Sequence, residues 1–179
     1  MVKTALVTGG NRGLGLEVVR KLALQGHKVL LGCRNLEQGK DLALRTFGNI
    51  VAVKVDLSNS KILRAKMAAI LDEHGPIDIL INNAAINPFY GPIHKHEDWV
   101  FDKLMEVNVK APWQLSNMVV PSMKERGGGS IINISSVEGL HPGFGLSLYS
   151  VSKSALIMLT QNQAKEWGKM GIRVNAICP

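Results

Sequence analysis

The 179 residues, 46% hydrophobic and 20% charged, suffice for one domain with a sizeable core and exclude a disordered chain. Lys and Arg number 21 against 14 Asp and Glu, but the net charge of +7 is scattered, with no basic block interleaved with aromatics; no nucleic-acid partner is expected, and a small anionic ligand suits the charge better. No apolar run approaches the roughly 18 residues of a membrane span, the first ten residues do not read as a signal peptide, and Cys33 and Cys178 are too few for a disulfide framework, so a cytoplasmic protein without membrane association is expected.

Short aliphatic runs recur at residues 4–7, 28–31, 50–55, 77–81, 130–134 and 172–177, and they read as strands buried on both faces. Between them apolar residues take helical spacing, as in Leu14, Val18, Leu22 and Leu24, then Leu63, Met67, Ile70 and Leu71. Gly26, Gly75 and Gly171 stand just ahead of a strand, where a helix C-terminal cap belongs. A longer helical stretch covers about residues 97–124, and Gly127-Gly128-Gly129 reads as a tight loop feeding the fifth strand. The alternation predicts an α/β fold, a doubly wound parallel sheet forming a single domain over residues 1–179. With strand order 3-2-1-4-5-6, Cys33 and Cys178 would stand about 19 Å apart, too far for a disulfide.

Thr8-Gly9-Gly10-Asn11-Arg12-Gly13-Leu14-Gly15 lies between the first strand and the first helix. Glycines there let the backbone turn sharply and approach a pyrophosphate resting on the helix N-terminus; that placement favours a dinucleotide site over an ordinary turn. Tyr149 and Lys153, four residues apart, share one helical face, and the ammonium is expected to pull the phenol pKa down from about 10. Ser136 follows the fifth strand, where open α/β sheets bind ligands. His94-Lys95-His96-Glu97-Asp98 lacks companion ligands, so no metal is expected. Ser135, His141 and Glu138 lack a G-x-S-x-G elbow, which removes a hydrolase reading. Trp99, Trp113 and Met118 read as core or subunit contacts, and Phe89, Tyr90, Leu140, Phe144 and Leu146 are candidates for a pocket taking a partly apolar substrate.

Taken in order, these residues resemble the short-chain dehydrogenase/reductase family. The glycine run matches its TGxxxGxG, Asp56-Leu57 matches its aspartate after the third strand, and Asn82-Asn83-Ala84-Ala85 resembles its NNAG with Ala85 in place of glycine. Asn108, Ser136 and the Tyr149-x3-Lys153 pair complete a resemblance running from Thr8 to Pro179. It implies a Rossmann fold in which Thr8, Gly9, Asn11, Arg12, Gly13, Leu14, Gly15, Arg34, Asp56, Leu57, Asn83, Ala84, Ala85, Tyr149, Lys153 and Pro179 hold a nicotinamide dinucleotide. At the end of the second strand, where an acidic residue would repel a 2′-phosphate, stand Cys33 and Arg34; with Arg12 opposite, NADP(H) is expected over NAD(H).

The same resemblance implies the chemistry. Tyr149 would give a proton to a carbonyl oxygen that Ser136 hydrogen-bonds, Lys153 would hold the ribose and lower the tyrosine pKa, and Asn108 would position a relay water. The substrate would be a ketone or secondary alcohol, with a 3-oxoacyl thioester, a steroid-like ketone and a small sugar-like ketone all open. A homodimer or homotetramer would form through residues 109–124 and 149–168. Family members run several dozen residues further, so a chain lacking the C-terminal strand, helix and substrate lid is expected. Such a chain would leave the sixth strand as an exposed edge and could be a catalytically impaired nucleotide-binding fragment or scaffold.

Overall fold

The computed structural model describes residues 1–179. Six strands form one parallel sheet: β1 (Thr4–Thr8), β2 (Lys28–Cys33), β3 (Ile50–Lys54), β4 (Ile79–Asn82), β5 (Gly129–Ile134) and β6 (Ile172–Ile177), in the order β3-β2-β1-β4-β5-β6. The helices are α1 (Gly13–Leu24), α2 (Leu36–Arg45), α3 (Ser60–His74), α4 (Asp98–Met105), α5 (Ala111–Glu125) and α6 (Ser147–Trp167). This is the doubly wound arrangement that the alternation implied.

Successive strand residues point to opposite faces, and each face finds its own helices. Leu6, Leu30, Leu80 and Ile131 pack with Leu63 and Met67 of α3 and Leu115, Val119 and Met123 of α5, in a buried cluster of 18 residues. Val7, Val29, Leu31 and Ile81 meet Val19 and Ala23 of α1 in a second cluster of 7. Right-handed crossovers impose this division: the chain first steps from β1 towards β3, then returns through α3 to β4 and continues towards β6. The reversal leaves a crevice at the C-terminal ends of β1 and β4, where ligands of such sheets bind.

The helical stretch expected over residues 97–124 is three pieces. After α4 the helix widens over Glu106–Lys110, where the Ala111 N–H reaches back five residues to the Glu106 carbonyl, and α5 follows. Pro112 near the start of α5 supplies no N–H to the preceding turn, which favours such a bulge. Trp99 and Trp113 are not core residues: they are 51% and 40% exposed on the outer faces of α4 and α5, while Met118 packs against the core. Cys33 and Cys178 are both free thiols. β6 is an edge strand, with Arg173, Asn175 and Ile177 exposed.

Asp78 ties three elements together at the opposite end of the sheet. Its carboxylate accepts the Thr4 N–H at 2.8 Å and pairs with Arg126 at 3.0 Å, and Arg126 also donates to the Ile77 carbonyl at 3.2 Å. Asp78→Ala should therefore cost about 1–3 kcal/mol in urea unfolding, because a main-chain donor loses its partner together with the ion pair. Asp41→Ala, which breaks the exposed Arg45–Asp41 pair at 2.9 Å, should cost under about 0.5 kcal/mol in the same measurement.

Candidate active site

The crevice at the sheet reversal is a cleft of about 700 Å³. Gly9, Asn11, Arg12, Gly13, Leu14 and Gly15 line it from the glycine loop, Arg34 from the end of β2, Asp56 and Leu57 from beyond β3, and Asn83, Ala84 and Ala85 from beyond β4. Sequence reasoning misses Asn35, Gln38, Ser58, Ile86, Lys103 and Val107, which line it too. Asn35 follows directly on Arg34 and Gln38 stands one helical turn beyond it, a signal that was available; Lys103 arrives from α4, and nothing local in the sequence marks it.

The walls of the cleft are built by hydrogen bonds between the ends of β1 and β4. Thr8 is buried behind the wall, its hydroxyl accepting the N–H groups of Asn83 and Ala84, each at 3.0 Å. The Asn83 side-chain amide donates to the carbonyls of Thr8 at 2.9 Å and Gly9 at 3.2 Å. A Cβ on Gly15 would collide with the Gly9 carbonyl and lie 2.5 Å from the Asn83 amide nitrogen, so the helix can start this close only on glycine. Asn82, one residue earlier and facing the other side, donates to buried Asn133 at 2.8 Å, which donates in turn to Thr160 at 2.8 Å.

Asn35 caps α2 and Asn59 caps α3, each accepting backbone N–H groups, whereas no side chain caps α1. The unpaired N–H groups at the start of α1, above a cradle that only glycine fits, suit a pyrophosphate. Asn11 is pinned across the cleft to Gln38 at 3.3 Å. The Ser58 N–H, donating to Asp56 at 2.9 Å, holds the Asp56 carboxyl below the usual carboxylate range; burial opposes this, and the Ser58 hydroxyl, Arg34 and Lys103 reinforce it. Asp56 is thus an ionised acceptor facing the cleft.

Four of the expected site residues, Ser136, Tyr149, Lys153 and Pro179, do not line this cleft; they gather where β5 meets the start of α6. Ser136 follows β5, and its hydroxyl accepts the Glu138 N–H at 3.2 Å, opening a short turn over Val137–Gly139. Tyr149 and Lys153 lie one turn apart on α6, with the Lys153 Nζ 5.6 Å from the centre of the tyrosine ring. Lys153 is only 2% exposed, and its Nζ donates to the Ile134 carbonyl at 2.8 Å. Burial pulls its pKa down to about 8, against a smaller upward pull from nearby Cys178.

The expected lowering of the tyrosine pKa by Lys153 is not what the structure gives. Burial raises the Tyr149 pKa, the Ser136 hydroxyl lowers it, and the Glu138 carboxylate raises it again. The ammonium is drawn to the Ile134 carbonyl instead of the phenol oxygen, and its own charge is disfavoured by burial.

Asn108, in the widened turn before α5, is buried with its side chain fully engaged: it accepts the Ile86 N–H at 2.9 Å and donates to the Ile86 carbonyl and the Ser152 hydroxyl, both at 3.0 Å. Ser152 in turn donates to the Tyr149 carbonyl at 2.7 Å. A relay water would therefore need a main-chain group of Asn108, not its amide. The Pro179 carbonyl accepts the Val137 N–H at 3.0 Å, which brings the last residue beside Ser136.

Phe89 meets His96 edge to face at 4.5 Å, and the Gly91 N–H donates to the Gly145 carbonyl at 2.9 Å. That bond ties the loop of Phe89 and Tyr90 to the loop of Phe144 and Leu146. Tyr90, Leu140 and Phe144 are exposed around this junction. No group of three or more His, Cys, Asp or Glu side chains is arranged to hold a metal ion, and no helix is long and apolar enough to cross a membrane. Ser135 is buried and donates to the Lys153 carbonyl at 2.9 Å, away from exposed His141.

The short chain dehydrogenase family profile matches residues 3–179. The chain belongs to the short-chain dehydrogenase/reductase family. It is 38% identical to Dehydrogenase/reductase SDR family member 4 from Homo sapiens over 99% of this chain and 65% of that protein. A short-chain dehydrogenase from Streptomyces avermitilis superposes with a TM-score of 0.94 at 31% identity, over 99% of this chain and 65% of that one. A metagenomic short-chain oxidoreductase solved in complex with NADP superposes with a TM-score of 0.93 at 34% identity, over 99% and 81%. The chain spans about two thirds of the length of the Homo sapiens relative and of the Streptomyces structure.

For this short-chain dehydrogenase/reductase chain, the buried lysine has a measurable thermodynamic signature. Its folded-state pKa near 8 lies below the ordinary lysine value of 10.5, so the unfolded chain binds the extra proton between those pH values. Stability from this group should rise as pH climbs from about 8 towards 10.5. Lys153→Met should flatten that rise relative to the parent when urea midpoints are compared across the range.

Proposed function

We propose that this chain transfers hydride between NADP(H) and a ketone or secondary alcohol, with Tyr149 as the general acid or base. The observation that carries the reading is the grouping of Ser136, whose hydroxyl acts on the Tyr149 phenol, with the buried Lys153 one helical turn away, its Nζ 5.6 Å from the centre of the tyrosine ring. Supporting it are the glycine cradle and open N-terminus of α1, which suit the pyrophosphate, and the ionised Asp56, an acceptor for an adenine amino group. Thr8 and Asn83 would act by shaping this cradle, and Arg12, Gly13, Leu14 and Gly15 by bordering it.

The nicotinamide, when bound, supplies or accepts the hydride. The work of the chain is at the substrate oxygen. In reduction Tyr149 gives its phenolic proton to that oxygen while Ser136 donates a hydrogen bond to it, so charge developing there meets two fixed donors. Lys153 keeps two of its three N–H donors beyond the bond to Ile134, enough to hold ribose hydroxyls. Asn108 fixes the loop after β4 and, through Ser152, the turn carrying Tyr149.

NADP(H) is preferred in this reading because β2 ends in Cys33, a buried thiol, and not in a carboxylate, while Arg12 and Arg34 both border the cleft. The relative solved with NADP is a further point in its favour. The substrate would lie against the exposed Tyr90, Leu140 and Phe144. A homodimer or homotetramer is proposed through residues 109–124 and 149–168, supported by a hollow of about 460 Å³ bordered by Met105, Val109, Trp113 and Leu159 together with Asp102, Glu106 and Lys110.

Tyr149→Phe should lower carbonyl reduction by about 10²–10⁴-fold while leaving NADPH affinity unchanged in a fluorescence titration. A scaffold or silent nucleotide-binding protein would show no such turnover to lose. Arg12→Ala and Arg34→Ala should each weaken NADPH binding by about tenfold and leave NADH binding nearly unchanged. Equal loss for both dinucleotides would overturn the assignment of these arginines to a 2′-phosphate.

A further inference from the structure

Lys103 on α4 and Val107 in the widened turn after it, four residues apart, both line the dinucleotide cleft. Glu106 anchors this stretch to the start of α3. Its carboxylate accepts the Ser60 N–H at 3.0 Å and pairs with Lys110 at 2.8 Å. Asp56, Leu57 and Ser58, which lead into that helix start, line the same cleft. Glu106 is also the acid that a lysine three residues earlier could pair with, and both of its oxygens are taken. Lys103 is left exposed at the cleft with no ion-pair partner.

Asp56 is the acid at this end of the cleft. One of its oxygens accepts the Ser58 N–H at 2.9 Å, and no Lys or Arg pairs with it. A carboxylate and an ammonium that border one cleft without closing on each other suit a ligand edge carrying a donor beside an acceptor. Leu57 and Val107, 6% and 5% exposed, add apolar side chains that suit a flat ring.

We propose that Lys103 is a further dinucleotide-binding residue that reads the adenine base. Asp56 accepts from the 6-amino group, and the Lys103 ammonium donates to the ring nitrogen beside it. Adenine sets a donor next to an acceptor in this way. The proposal rests on the dinucleotide reading of the cleft and goes further, because it makes the base end selective through two opposite charges brought from α4 and from beyond β3. In the same reading Arg12 and Arg34 serve the 2′-phosphate and the start of α1 the pyrophosphate, so a loss at Lys103 has its own pattern across ligands.

The test is a fluorescence titration of NADPH and NADH with the parent chain, Lys103→Met and Lys103→Arg, with adenosine as a competitor. Lys103 is exposed, so neither substitution should disturb folding. Lys103→Met should weaken NADPH and NADH by the same factor, about threefold to tenfold, and Lys103→Arg should retain most of the affinity. Adenosine, which carries the base and no phosphate, should weaken as a competitor by a similar factor in Lys103→Met.

Unchanged affinities in Lys103→Met would overturn the proposal. So would a loss confined to NADPH, which assigns Lys103 to the 2′-phosphate, or weaker dinucleotides with adenosine unmoved, which assigns it to the pyrophosphate. Failure of the dinucleotide reading shows separately, as a parent chain that binds neither NADPH nor NADH, and it removes this proposal too.

Discussion

The site depends on a clamp of hydrogen bonds between Thr8 and Asn83. β1 and β4 are neighbours in the sheet but 70 residues apart in the chain, and their C-terminal ends part where the crossovers reverse. The Thr8 hydroxyl holds two backbone N–H groups of the β4 loop, and the Asn83 amide holds two carbonyls of the glycine loop. These donors and acceptors would otherwise be buried without partners, at a cost of about 1–3 kcal/mol each. The clamp therefore fixes the spacing of the two walls and brings Gly15 against Gly9, where the first helix opens towards the cleft.

On the other side of the sheet reversal the controlling quantity is burial. Lys153 is held almost out of water with one carbonyl for a partner, and Tyr149 is half-buried beside a hydroxyl and a carboxylate. Desolvation moves the two pKa values apart, lysine downward to about 8 and tyrosine upward from 10.0, so neither group carries its ordinary charge with ordinary ease. A phenol placed in this way holds its proton more firmly than usual. Asn108 joins the loop after β4 to the turn of α6 that carries the tyrosine.

Some of this was legible in the sequence and some was not, for identifiable reasons. The strands and the cleft loops follow from local pattern: short unbroken aliphatic runs, glycines between a strand and a helix, and a Tyr-Lys spacing of one helical turn. The break in the helix around Asn108 turns on one missing N–H at Pro112, which a periodicity argument passes over. Trp99 and Trp113 carry helical spacing yet face outward, because periodicity shows that a helix has an apolar stripe and not what covers it. Lys103 reaches the Asp56 side of the cleft from a helix that no neighbouring motif marks.

The sequence by itself determined the doubly wound sheet, the glycine turn at its first crossover and the residues that meet beyond its C-terminal edge, because strand and helix periodicity and turn chemistry are local properties. Only the tertiary structure decided the protonation balance at Tyr149, since that depends on which groups surround the phenol in space. Lys153, four residues away along the chain, turns to a backbone carbonyl, while burial and the Ser136 hydroxyl, thirteen residues earlier, act on the phenol. Electrostatic energy follows distance through space and the water excluded from it, and neither is written in the spacing of residues along a chain.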